Sequence, residues 1–93
     1  MIIMEANTMV KPFRELVAKE LHSSVEKHGH LQSLHEAFAV ILEEVDELWE
    51  HVRKKTKQRD PEEILEELVQ IAAMAQKTAE DIVVPMMMKN DNV

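Results

Sequence analysis

The sequence predicts an all-α protein, a three-helix protomer that completes a four-helix-bundle core by homo-oligomerisation. Three observations predict it. Apolar residues recur at helical spacing along most of the chain. One Gly and three Pro in 93 residues leave little material for hairpins. Residues that start or stop helices fall between the periodic stretches, at Pro12, Gly29, Ser33 and Asp60-Pro61.

The first helix is expected over 12–28. Pro12 suits a first turn, and Phe13, Leu16, Val17, Leu21 and Val25 form one apolar stripe that ends at Gly29. The second is expected over 33–58. Ser33-Leu34-His35-Glu36 fits a capping box, and Leu34, Phe38, Ile41, Leu42, Val45, Leu48, Trp49 and Val52 make a broad apolar face, with Trp49 in the core. The five cations Arg53, Lys54, Lys55, Lys57 and Arg59 complement the negative end of that helix dipole.

The third helix is expected over 61–84, with Asp60 as N-cap and Pro61 as its first residue. It buries Ile64, Leu65, Leu68, Ile71, Ala72, Ala75, Ala79 and Ile82, and its alanines imply close helix approach. It stops before Pro85, leaving a frayed tail over 86–93. The whole chain, 1–93, reads as a single domain.

A chain this short buries only roughly two-thirds of the surface its unfolded form exposes. Small domains gain stability from disulfides, metals or self-association. With no cysteine, disulfides and thiolate metal sites are excluded. Oxygen-ligated metal and oligomerisation remain, and a homodimer or homotetramer is expected, with the second and third helices pairing with their symmetry mates.

The formal charge of -7, with two Phe, one Trp and no Tyr, disfavours nucleic acid as a partner. No apolar run approaches the roughly 20 residues a membrane helix needs. Met1-Ile2-Ile3-Met4 runs straight into Glu5 without the basic region of a secretory signal, so a cytoplasmic location is expected.

The chemistry concentrates in two acidic runs, Glu43-Glu44-Val45-Asp46-Glu47 and Glu62-Glu63-Ile64-Leu65-Glu66-Glu67. Glu44 and Glu47 are neighbours on one helix face. At about 100° per residue, Glu44 lies at the margin of the apolar face, and Glu67 holds the matching margin of the next helix with Glu63 and Gln70 nearby. Glu44, Glu47 and Glu67 are therefore candidates to converge on one cleft. Carboxylates crowded there repel one another unless a hard cation such as Mg²⁺ is shared between them. Such an ion would in turn hold the phosphates of a nucleotide. The alternative is a solvated acidic face, the common state of charged helix surfaces, and spacing alone leaves both open. His28 and His30 around Gly29, with His22, His35 and His51, read as surface residues.

Glu43-Glu44-Val45-Asp46-Glu47 followed by Glu67-Leu68-Val69-Gln70 resembles the paired motifs of the MazG-like all-α nucleoside triphosphate pyrophosphohydrolase superfamily. Those motifs are Glu-Glu-x-x-Glu on one helix and Glu-x-x-Asp on the next. The similarity spans roughly 31–82. It implies a helical bundle completed by oligomerisation and hydrolysis between the α and β phosphates of a nucleoside triphosphate, dependent on Mg²⁺, with Mn²⁺ as a substitute. By this resemblance Glu44, Glu47, Glu67 and Gln70 are metal ligands, and Glu43 is catalytic, supporting them or orienting water. Lys54 and Lys57 are the candidates for contacting the triphosphate at the mouth of the site. Gln70 departs from the pattern, standing where the family has Asp. An amide oxygen coordinates a metal but brings no charge and makes a poor base. The related branch that acts on phosphoribosyl-ATP matches less well. The competing expectation is a non-catalytic helical module for self-assembly or protein interaction.

Overall fold

The computed structural model describes residues 12–91, and every regular element among them is helical. Helix α1 spans Phe13–His28, α2 Leu34–Val52 and α3 Pro61–Thr78. A 3-10 turn, Thr56–Gln58, lies between α2 and α3. A π-helical segment, Ala79–Val83, carries α3 into α4, Val84–Asp91. The first eleven residues, including the Met1-Ile2-Ile3-Met4 start, lie outside the described residues.

The boundary chemistry is local. Gly29 ends α1 at φ 72°, a left-handed conformation in which a Cβ would be strained. Ser33 Oγ accepts from Glu36 N at 3.1 Å, while the Glu36 carboxylate reaches back to Gln32 N at 2.7 Å, one residue before the usual capping-box position. Asp60 accepts from Glu62 N at 3.0 Å, with Pro61 opening α3.

Two boundaries differ from expectation. Helix α2 stops at Val52, not at 58. The basic run leaves the helix there, and the Arg59 guanidinium donates to the Val52 carbonyl, satisfying an end that would otherwise face water. At the other end the helix does not stop before Pro85. Proline lacks an N–H and its ring clashes with the carbonyl four residues back. The π segment, in which Val84 N bonds Ala79 O, widens the turn immediately before Pro85. The chain then continues helically through Met86, Met87 and Met88 rather than fraying.

Helix α3 is the centre of the architecture and packs against both α1 and α2. Ala73 is fully buried among Val17, Val69 and Met74, with Leu16, Leu21, Val40, Ile41, Leu65 and Ala72 around them. A residue without side chain beyond Cβ lets α1 and α2 approach α3 closely. Thirty-one residues from Pro61 to Asp91 at about 1.5 Å rise give a rod of about 46 Å. That rod sets the longest dimension of 54 Å. The radius of gyration, 16.0 Å, exceeds the roughly 12 Å of a compact domain this long.

The core is correspondingly thin. One partner helix covers only part of the broad face of α2, and Trp49, expected in the core, is 57% exposed. Phe38, at 66%, is more open still, and Leu42, Val45 and Val52 share that outer surface. Their spacing of four, three, four and three residues is a coiled-coil-like stripe. No helix among the described residues is long and apolar enough to cross a membrane.

Candidate metal and ligand cleft

Helices α2 and α3 are neighbours through the apolar residues Val40, Ile41, Leu65, Val69 and Ala72. The acids flanking those positions are consequently carried to the edge of the same seam. Glu44, Glu47 and Glu67 each offer a carboxylate oxygen, and these atoms all lie within 4.8 Å of one another. Glu44 and Glu67 are half-buried and Glu47 is exposed, so the cluster opens to solvent from the α2 side.

Electrostatics report the crowding. Burial, reinforced by the charges of Glu47 and then Glu67, pushes the Glu44 carboxyl up from its ordinary 4.5 to about 7. Glu67 is raised too, first by burial and then by its bond and charge contact with Glu47, against a smaller opposing pull from His51. Such neighbours hold on to a shared proton when no cation is present. One Glu67 oxygen, Oε2, is buried with no hydrogen-bond partner. An acceptor left bare beside two further carboxylates is what a cation-binding set requires.

Oxygens on one Mg²⁺ at about 2.1 Å stand no more than about 4.2 Å apart, so small rotamer changes bring the three acids to that spacing. The donor set therefore fits a hard divalent cation. Gln70 stands beside Glu44. In the amide orientation that satisfies both groups, its nitrogen donates to the two Glu44 oxygens at 2.9 and 3.1 Å. Its carboxamide oxygen then faces away from Glu44.

The remaining residues singled out in the sequence fall in different places. Glu43 is exposed but lines the adjoining cleft together with Glu44 and Gln70. Lys54 and Lys57 are exposed in the link between α2 and α3 and do not line that cleft. His51 points its Nδ1 at Glu63 Oε2 from 4.0 Å, and that nitrogen is buried without a hydrogen bond. His22 pairs with Glu26 on α1, and Arg53 with Glu50 on α2, both at the surface.

The cleft measures about 390 Å³ and reaches from Glu44 and Gln70 to a region the acidic motifs do not announce. Lys77 lies there, buried, its Nζ donating to Ser24 Oγ on α1 at 2.8 Å. Next to it Asp81 accepts from Leu31 N at 2.7 Å and bonds His30 Nδ1 at 2.8 Å, fastening the α1–α2 link to the π segment. Burial would raise Asp81, but the Leu31 N–H and then His30 outweigh it and hold the carboxyl below its usual value. The signal for Lys77 was present in the sequence. Glu67, Gln70, Met74 and Lys77, spaced three, four and three, form one stripe of α3, placing a lysine on an inward face.

Compared with known proteins, the chain matches no family model, no curated protein and no solved structure.

Proposed function

We propose that the protein is a Mg²⁺-dependent nucleoside triphosphate pyrophosphohydrolase of the MazG-like kind. It would cleave between the α and β phosphates to give a monophosphate and pyrophosphate. The observation that carries this reading is the convergence of Glu44, Glu47 and Glu67 from two helices, with a Glu67 oxygen left unpartnered.

Glu44, Glu47 and Glu67 would hold the ion, with the Gln70 carboxamide oxygen as a neutral fourth donor after its side chain turns. A bound cation would supply charge neutralisation for the polyphosphate and lower the pKa of water. Glu43, at the cleft wall, would accept a hydrogen bond from the attacking water and orient it. The water oxygen bonds to phosphorus, the bridging P–O bond breaks with its electron pair leaving on pyrophosphate, and the water proton passes to solvent. Lys54 and Lys57, outside the cleft, are assigned to the outermost phosphates. The protomer's exposed α2 stripe is assigned to a second copy, completing a four-helix core as a homodimer or a pair of dimers.

Purified protein screened against ribo- and deoxynucleoside triphosphates with Mg²⁺ or Mn²⁺ is expected to release pyrophosphate, and E44Q to release none while staying helical. Absence of pyrophosphate from every nucleotide sinks the hydrolase reading. A second reading, a non-catalytic self-assembling helical module, is favoured by the Gln70–Glu44 contact, which partly satisfies the site without a metal. Its mark is a melting temperature indifferent to Mg²⁺ and nucleotide alike.

A further inference from the structure

The cleft has two chemically different ends on one helix. Glu67 and Gln70 mark one; Lys77, seven residues beyond Gln70, marks the other. Two helical turns separate them, about 10 Å of rise. That separation is comparable with the reach from the α phosphate to the far edge of the base in a nucleotide. Leu31, Val40 and Met74 contribute apolar surface to a lining that is otherwise polar and charged.

Lys77 is only 2% exposed, yet it lines this cleft. Its ammonium carries three donors, of which Ser24 Oγ takes one at 2.8 Å. Among the described residues no carboxylate comes within 4.0 Å of it. Asp81 is near enough to feel the Lys77 charge, but its oxygens are bonded to Leu31 and His30. A buried donor with bonds to spare needs an acceptor from a ligand or from water. Glu20, Glu36, Glu43 and Glu44 also line the cleft, which disfavours an unchelated anion within it. A neutral acceptor suits it better.

We propose that Lys77 and Ser24 form the base end of the cleft and select nucleotides whose base carries an exocyclic keto oxygen, uracil or thymine above adenine. The assignment rests on the hydrolase reading for the placement of the phosphates. A site that hydrogen-bonds a buried acceptor rejects an analogue lacking it, because its own donor is then left unsatisfied.

The test compares kcat/KM for UTP and ATP with Mg²⁺ in wild type and K77M, whose side chain is of similar length without the donor. Wild type is expected to favour UTP by about tenfold or more, and K77M to bring the ratio to within about twofold, chiefly by lowering kcat/KM for UTP. A wild-type ratio near one, or a preference untouched by K77M, overturns the proposal. Where K77M does not fold, or no nucleotide releases pyrophosphate, titration of wild type with uridine and adenosine in EDTA decides the base site separately. Perturbation of the Lys77 side-chain resonances by uridine and not by adenosine upholds it. Equal perturbation by both, or none, overturns it.

Discussion

Gln70 and Glu44 face each other across the α2–α3 seam, the Gln70 amide nitrogen 2.9 and 3.1 Å from the two Glu44 oxygens. A neutral donor thus answers part of the demand that crowded carboxylates make. Replacing it removes the donor and adds a charge in one step. Q70D is expected to lower stability without metal by about 1–2 kcal/mol through like-charge repulsion and the lost bond. The same change should tighten Mg²⁺ binding about tenfold, because a charged ligand replaces a neutral one. Calorimetric titration and thermal melts in EDTA check the two halves independently. An apo protein stabilised by the substitution would contradict the repulsive cluster.

Glu44 gives the cluster a pH signature. Its folded pKa, about 7, lies above the ordinary 4.5, so the folded protein binds the extra proton. Stability from this group is therefore full below about pH 4.5 and declines as pH rises toward 7. E44Q should therefore be more stable than wild type at pH 7.5 without metal, by on the order of 1 kcal/mol once solvent screening of this partly exposed group is allowed for. The advantage should vanish near pH 4. Thermal melts across that range are the measurement, and an E44Q protein less stable than wild type at pH 7.5 would count against the crowding.

A Mg²⁺ ion bound as proposed would displace those shared protons, so its stabilisation is predicted to grow with pH. At 100 times its dissociation constant at pH 8 it should add about 2.7 kcal/mol. For a domain this small, each kcal/mol corresponds to roughly 4–8 °C in melting temperature. At pH 5.5 the same concentration should give a clearly smaller shift, since protonated carboxyls do not ligate. A shift equal at both pH values would point to a cation held elsewhere.

Asp81 titrates in the opposite sense. Its carboxyl is held below the usual 3.8, so the stability it contributes is present above that value and lost as pH falls through the folded pKa. D81N keeps the shape but weakens acceptance from Leu31 N and the His30 contact. It should cost about 1–2 kcal/mol at pH 7. The gap to wild type should narrow below about pH 4, read by denaturant melts at pH 7 and pH 3.5.

What the sequence made legible was what local chemistry decides. Gly29, Ser33 and Asp60-Pro61 mark real helix ends because capping depends on a few adjacent residues. The margins of the α2 and α3 wheels put Glu44, Glu47 and Glu67 together because two packed helices share an edge. Trp49 misled because periodicity reveals that a face is apolar, not what covers it. The π segment before Pro85 was illegible for another reason: a proline can be accommodated by widening a turn, and composition does not distinguish that from a stop. Lys77 was hard to read because an isolated lysine carries no cluster signal and is conspicuous only against the inward-facing stripe it interrupts.

Trp49 also supplies the sharpest test of assembly. With Phe38, Leu42, Val45 and Val52 it makes an exposed apolar stripe on α2, the surface assigned above to a second copy. Pairing with a second copy would exclude water from the indole and make the melting temperature depend on protein concentration. Light scattering should report a dimer or larger, and Trp49 fluorescence should shift to the red on dilution. W49E places a carboxylate within that stripe and should cost on the order of 2–4 kcal/mol of association energy, yielding monomer. Because Glu44, Glu47 and Glu67 all come from one protomer, the monomeric variant should still be stabilised by Mg²⁺. A wild-type protein that scatters as a monomer over a wide concentration range removes the second copy from the account and leaves the cluster standing on its own.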